Sequence, residues 1–203
     1  MTTKEYLEIK KKSPDAKYNA YEGWEADLEK IIEFNKNLVE KYPWLTPRNR
    51  WTDKIPETYD YSYTELDAME NGWRIAFGDQ MVEEIDNELK KFNFVNKYRI
   101  LQIKEKWGGL RWYDGGYPRD SKIGEIVSHY EELSFKTCLL CGKPAEWISK
   151  GWISPYCTDC ANRMLDWEYE DYKKSWKDKP EKLETLKRRT LEERFTKIEE
   201  ALT

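Results

Sequence analysis

Three features of the sequence predict an α+β fold, with helices around a small β-hairpin or antiparallel sheet core and an embedded four-cysteine module. Apolar residues recur at helical spacing in several separate segments. The period changes to two between Tyr98 and Asp114, around a Gly-Gly pair, and two C-x-x-C pairs bracket a short hairpin-like stretch. A chain of 203 residues can bury a core without disulfide staples. Its composition, 39% hydrophobic and 36% charged, leans toward disorder, but ten Trp and fourteen Tyr offer enough burial area to favour a folded chain.

The first predicted helix runs from Trp24 to Tyr42, where Trp24, Leu28, Ile31, Ile32, Leu38 and Val39 share a face and Pro43 ends the pattern. Pro43, Pro47 and Pro56 then punctuate an ordered loop whose aromatics Trp44, Trp51, Tyr59 and Tyr61 are expected to pack on the domain. Met81, Val82, Ile85, Leu89 and Phe92 set a second helix over Ile75 to Phe92. Tyr98 to Trp107 and Leu110 to Asp114 read as two strands joined at Gly108-Gly109, a pair suited to the positive φ angles of a two-residue turn. A third helix is marked by Ile123, Ile126, Val127, Tyr130 and Leu133, and another by Ala161 to Lys177. Pro180 breaks the chain before a last amphipathic helix on Leu191, Phe195, Ile198 and Leu202. The expected divisions are a helical, aromatic-rich part (1–62), a central core (63–136), the cysteine module (137–162) and a helical extension (163–203), together making one domain.

Cys138, Cys141, Cys157 and Cys160 form two C-x-x-C pairs with fifteen residues between them, a zinc-ribbon spacing. Gly142 supplies backbone freedom after the first pair. Trp147 to Ser149 and Trp152 to Ser154, parted by Lys150-Gly151, suggest the hairpin between ligand pairs, and Cys157 and Cys160 fall where the next helix starts. Four thiolates fill a tetrahedral site and leave no position for water, so the expected Zn2+ is structural. Two disulfides or four inert thiols are the bland alternative. A sharper one is the nucleobase-deaminase pattern H-x-E followed by P-C-x-x-C, which His129-Tyr130-Glu131 and Pro155 to Cys160 loosely resemble. There the proline lies one residue early, His129 falls late in its helix, and Cys138 and Cys141 have no role.

Residues 97–111 hold Lys97, Arg99, Lys104, Lys106 and Arg111 against Glu105 alone, a net +4 within a chain of net charge -4. With Gly108-Gly109 as the turn, Trp107 faces Leu110, Lys106 faces Arg111, Glu105 faces Trp112 and Lys104 faces Tyr113. Leu101, Ile103, Trp107, Leu110 and Trp112 are expected in the core. Lys104, Lys106, Arg111 and Tyr113 are expected on the opposite face. Like charges across a strand pair repel unless an anion lies between them. Cations beside an exposed ring suit a phosphate-bearing base, so these four residues are the candidate site for a small anionic ligand, a nucleotide. Carboxylates from neighbouring helices could instead neutralise the patch.

The segment Ile103 to Tyr113, IKEKWGGLRWY, resembles the IKEKFGGLRFY signature of a group of small phage and prophage proteins, with Trp107 and Trp112 in place of Phe. Gly72-Trp73 upstream and the cysteine pairs downstream extend the resemblance over residues 70–160. It implies a phage context and, by analogy, capture of a nucleotide messenger of host immunity.

Other readings stay open. The ribbon and C-terminal helix could dock on a host protein, or the hairpin could bind nucleic acid, although an acidic chain is poorly suited to wrapping duplex DNA. A homo-oligomer is compatible with the sequence. The charged N-terminus and the lack of any long apolar stretch predict a cytoplasmic protein with no membrane partner. The chain has no G-x-x-x-x-G-K-[ST], no G-x-G-x-x-G and no G-x-S-x-G, so nothing in it points to catalysis.

Overall fold

The computed structural model describes residues 1–12, 24–49 and 51–201. Helix α1 (Thr3–Lys12) precedes α2 (Trp24–Lys41), and a 3-10 turn (Pro43–Leu45) follows where Pro43 stops the helix. The side chain of Trp24, and Leu202, lie outside the described residues. After a second 3-10 turn (Glu65–Ala68), the chain enters α3 (Asn71–Trp73), widens into a π turn (Arg74–Gly78) and continues as α4 (Asp79–Lys91), with Asp79 in its first turn and Lys90 and Lys91 in its last, as the helix dipole favours. Strands β1 (Ile100–Lys106) and β2 (Gly109–Asp114) form an antiparallel hairpin against α5 (Ile123–Ser134). The cysteine module holds β3 (Trp147–Ser149) and β4 (Pro155–Tyr156), and α6 (Thr158–Ser175) leaves it. Short elements α7 (Pro180–Leu183), α8 (Leu191–Arg194), β5 (Phe195–Lys197) and α9 (Ile198–Ala201) end the described chain. The architecture is α+β, with sheets of order β1-β2 and β4-β3-β5.

The main core joins Trp44, Trp73, Phe77, Ile85, Leu89, Ile103, Leu110, Trp112 and Tyr130. A second cluster gathers Cys138, Trp147, Tyr156, Cys157, Cys160, Leu165 and Phe195 around the cysteine module. Indole and phenol groups in the main core keep their polar ends bonded. Trp44 Nε1 donates to Asp86 Oδ1 (3.1 Å), Trp112 Nε1 to the Tyr98 hydroxyl (3.0 Å), and that hydroxyl to Asp114 Oδ2 (3.1 Å).

Five expectations need correction. The hairpin turn is Trp107-Gly108, with φ of 56° and 78°, and not Gly108-Gly109. Lys106 therefore faces Gly109, Glu105 faces Leu110, Lys104 faces Arg111 and Ile103 faces Trp112. A bulge between Ile100 and Gln102 turns Ile100 inward and Leu101 outward, and Trp107 sits in the turn, so both Leu101 and Trp107 are exposed and leave the expected core face. Trp51, expected to pack, is also exposed, whereas Trp44 is buried. The last helix is interrupted because Phe195 enters the second cluster as part of β5, pairing with Ser149 and meeting Tyr156 edge-on at 5.8 Å. The ribbon strand β4 begins at Pro155, later than the expected Trp152 to Ser154, since residues 150–153 form the loop.

Candidate metal centre and basic face

The first C-x-x-C pair sits in a tight knuckle. Thr137 and Pro144 form a β-bridge, the Cys138 N–H donates to Lys143 O (2.8 Å), and the Gly142 N–H donates to Cys138 O (3.0 Å) with Gly142 at φ 78°. The second pair is set by a helix start, with Cys157 as the N-cap of α6 in extended backbone and Cys160 in its first turn. Glu146 braces that start, accepting from the Thr158 N–H (3.3 Å) and hydroxyl (3.0 Å). The Leu139 N–H donates to Pro155 O (3.0 Å) and links the two halves.

These constraints bring all four sulfurs within 4.8 Å of one another, with Cys141 and Cys157 3.6 Å apart. Thiolates on a tetrahedral ion with metal–sulfur bonds of about 2.3 Å stand about 3.8 Å apart, so the spacing fits four sulfurs sharing one ion. Cys138, Cys157 and Cys160 are buried, Cys141 is half-buried, and none is in a disulfide. Burial pushes the Cys157 and Cys160 thiols up. At Cys141 burial also acts upward, but the Lys143 backbone N–H and the neighbouring sulfurs outweigh it and leave that thiol below its ordinary range. An ion bound here displaces the thiol protons. His129 is exposed on α5 and is not in the cluster, so the deaminase pattern does not assemble.

Two supports of the centre escape sequence reasoning. Arg163 Nη2 donates to Cys160 Sγ at 2.8 Å from one turn along α6, and the i,i+3 spacing is its only signal. Gly72 and Trp73 clamp the knuckle from outside: the Gly72 N–H donates to Leu139 O (2.9 Å), and Trp73 Nε1 to Thr137 O (3.2 Å).

On the hairpin, strand alternation puts Lys104, Lys106, Arg111 and Tyr113 on one face. Lys104 is directly across from Arg111, so the like-charge pair is Lys104–Arg111 and not Lys106–Arg111. Arg111 Nη1 donates to Leu110 O (2.7 Å) and its guanidinium lies 5.7 Å from the Phe135 ring. Lys104 Nζ stands 5.2 Å from the centre of the Tyr113 ring and covers one of its faces. Among the described residues no carboxylate pairs with Lys104, Lys106 or Arg111, whereas Arg99 pairs with Asp53. Glu105, on the other face, is engaged with the turn, accepting from the Gly108 N–H at 2.6 Å.

No helix among the described residues is long and apolar enough to cross a membrane. Compared with protein-family models, curated proteins and solved structures, the chain matches none.

Proposed function

We propose that this chain is a non-enzymatic binding protein in which a structural zinc ion on Cys138, Cys141, Cys157 and Cys160 stiffens the scaffold and the β1–β2 face captures a small phosphate-bearing ligand, a nucleotide. The observation that supports the reading is the group Lys104, Lys106 and Arg111, which share one strand face without a carboxylate partner among the described residues. Two of them face each other across the strands, an arrangement that an anion relieves. An all-sulfur ligand set favours zinc and leaves no open coordination position, so the metal acts on shape. The resemblance of Ile103 to Tyr113 to the phage signature would make the captured species a nucleotide signal in the cytoplasm of an infected host.

Titration calorimetry against linear and cyclic nucleotides, with native mass spectrometry to count zinc, tests this. One zinc per chain and saturable binding are expected. Lys106→Ala and Arg111→Ala each lower affinity by about ten- to a hundredfold, because a hydrogen bond to a charged group contributes about 1.5–3 kcal/mol. Binding unchanged in both variants, or no nucleotide altering the melting temperature, would sink the idea. Affinity that falls steeply with salt and scales with strand length would transfer the face to nucleic acid.

A further inference from the structure

We infer that the ring of the captured ligand enters a cleft between the β1–β2 turn and the loop joining β3 to β4, held by Trp107 and Trp152, with its phosphates on Lys106, Lys104 and Arg111. The inference rests on the nucleotide reading above and moves the stacking position away from Tyr113, one face of which Lys104 already covers.

The cleft has a volume of about 220 Å3 and is lined by Glu105, Lys106, Trp107, Gly151, Trp152 and Ile153. Its two indoles are 65% and 77% exposed, and among the described residues neither meets another aromatic ring. That separates them from Trp44, Trp73 and Trp112, whose indoles are buried with their N–H groups bonded. Large flat rings left in water on two facing loops offer a stacking surface that any base can use.

Both loops are fixed before a ligand arrives. The turn packs on the ribbon loop so closely that a Cβ at Gly108 would lie 3.1 Å from Ile153 Cγ2. The Ser149 hydroxyl accepts from the Ser154 N–H (3.0 Å) and donates to Trp152 O (2.5 Å), and the Lys150 N–H donates to Arg194 O (2.8 Å). Such preorganisation lowers the ordering cost of binding. Trp107 also occupies a positive-φ position that Asn or Gly would fill without strain, so the indole is kept there against the local preference of the backbone.

Charge orients the ligand. Lys106 lines the cleft and shares its strand face with Lys104 and Arg111, which gives a cationic path leading out of it. Glu105 stands on the cleft wall as a carboxylate tied to the turn. It repels a phosphate there and can accept from a ring N–H. The ring end therefore goes in, and the phosphate end lies along the strands.

The test compares adenosine and guanosine triphosphates with inorganic tripolyphosphate on the zinc-loaded full chain, using Trp107→Asn and Trp152→Ala. Asn keeps the turn geometry while removing the indole. Each variant is expected to weaken nucleotide binding by about tenfold, the range of one base stack, and to leave tripolyphosphate binding unchanged. If the nucleotides bind and both variants bind them like the parent, the cleft inference is wrong and the basic-face reading stands. If neither nucleotide nor tripolyphosphate binds the parent chain, both are wrong. Circular dichroism and zinc content serve as fold controls for each variant.

Discussion

A methyl group added to Gly72 would place its carbon 2.1 Å from the Cys138 carbonyl oxygen and 2.6 Å from the Leu139 carbonyl carbon. Both neighbours are backbone of the cysteine knuckle and cannot rotate away. Gly72→Ala is therefore expected to lower stability by about 1–3 kcal/mol or more. It should also release zinc at lower denaturant concentration, read by a colorimetric chelator during unfolding; an unchanged release midpoint would show that α3 does not brace the knuckle. Asp67 marks a second sensitive position. It binds Arg74 at 2.6 Å, Arg74 is fully buried beside the Tyr6 ring, and two of its nitrogens, Nε and Nη2, have no hydrogen-bond partner among the described residues. Burial acts to raise the Asp67 carboxyl, but Arg74 and Lys10 outweigh it and hold the group below its usual range. A lowered folded pKa contributes stability that is present above the unfolded value of about 3.9 and is lost as pH falls through the folded value. Asp67→Asn leaves a buried guanidinium uncompensated and should cost about 3–5 kcal/mol at neutral pH. Urea unfolding across pH should show the gap to the parent protein beginning to narrow below about pH 4, where the unfolded carboxyl takes up its proton, and closing as pH falls through the lowered folded value of Asp67; a constant gap would contradict the ion-pair account.

The hairpin shows why local signals can name an element and still misplace its register. Gly108 and Gly109 are both required, but for different reasons. Gly108 takes the second positive-φ position of the turn, while a Cβ at Gly109 would lie 2.4 Å from Phe135 Cζ, so that glycine exists for close packing against the residue that caps α5. With the second glycine committed to packing, Trp107 must take the first turn position, a left-handed conformation that costs an L-residue about 1–2 kcal/mol. Trp107→Asn is accordingly expected to raise the thermal midpoint by about 2–4 °C, scaled from about 1 kcal/mol in a chain of this size. A drop in calorimetric midpoint would mean that the indole packs more favourably than the turn strains. Helices α2, α4, α5 and α6 were legible because each repeats an apolar face over several turns. Helix α1 was not, because Tyr6 and Leu7 dock it through one short apolar pair inside a charged run, with Tyr6 stacked on Phe34 at 4.5 Å. Strand β5 was hidden because Leu191, Phe195 and Ile198 imitate helical spacing; the partner that extends Phe195, β3, lies more than forty residues earlier in the chain. The cysteine cluster was readable from spacing alone, since a C-x-x-C turn has few ways to aim two sulfurs. The cleft was not, because Trp107 and Trp152 belong to different elements and meet only in the folded chain.

At the scale of the whole molecule, the cysteine cluster lies between two bodies of buried side chains. On one side it is the centre of its own cluster, where Cys138, Cys157 and Cys160 stand among Trp147, Tyr156, Leu165 and Phe195. On the other it meets the main core through Gly72, Trp73 and Leu139, with Leu140 packed against both clusters. Stripping the metal from such a site replaces one ion by four thiols or mutually repelling thiolates, and the smaller cluster has fewer apolar side chains than the main core to compensate. The larger body keeps Trp44, Ile85, Leu110 and Trp112, none of which depends on the sulfurs. Loss of order should therefore be graded: residues 137–165 and 191–198 lose protection first, while β1, β2, α4 and α5 retain most of theirs. Hydrogen exchange followed by mass spectrometry, before and after zinc removal by a strong chelator, reads this directly. Uniform loss across the chain would mean that the zinc holds the whole fold, and no loss anywhere would mean that the cluster does not depend on a metal. In the graded outcome the hairpin face survives but the β3–β4 loop does not, so metal removal should weaken nucleotide binding more than tripolyphosphate binding, linking the structural ion to the ring end of the ligand through Trp152.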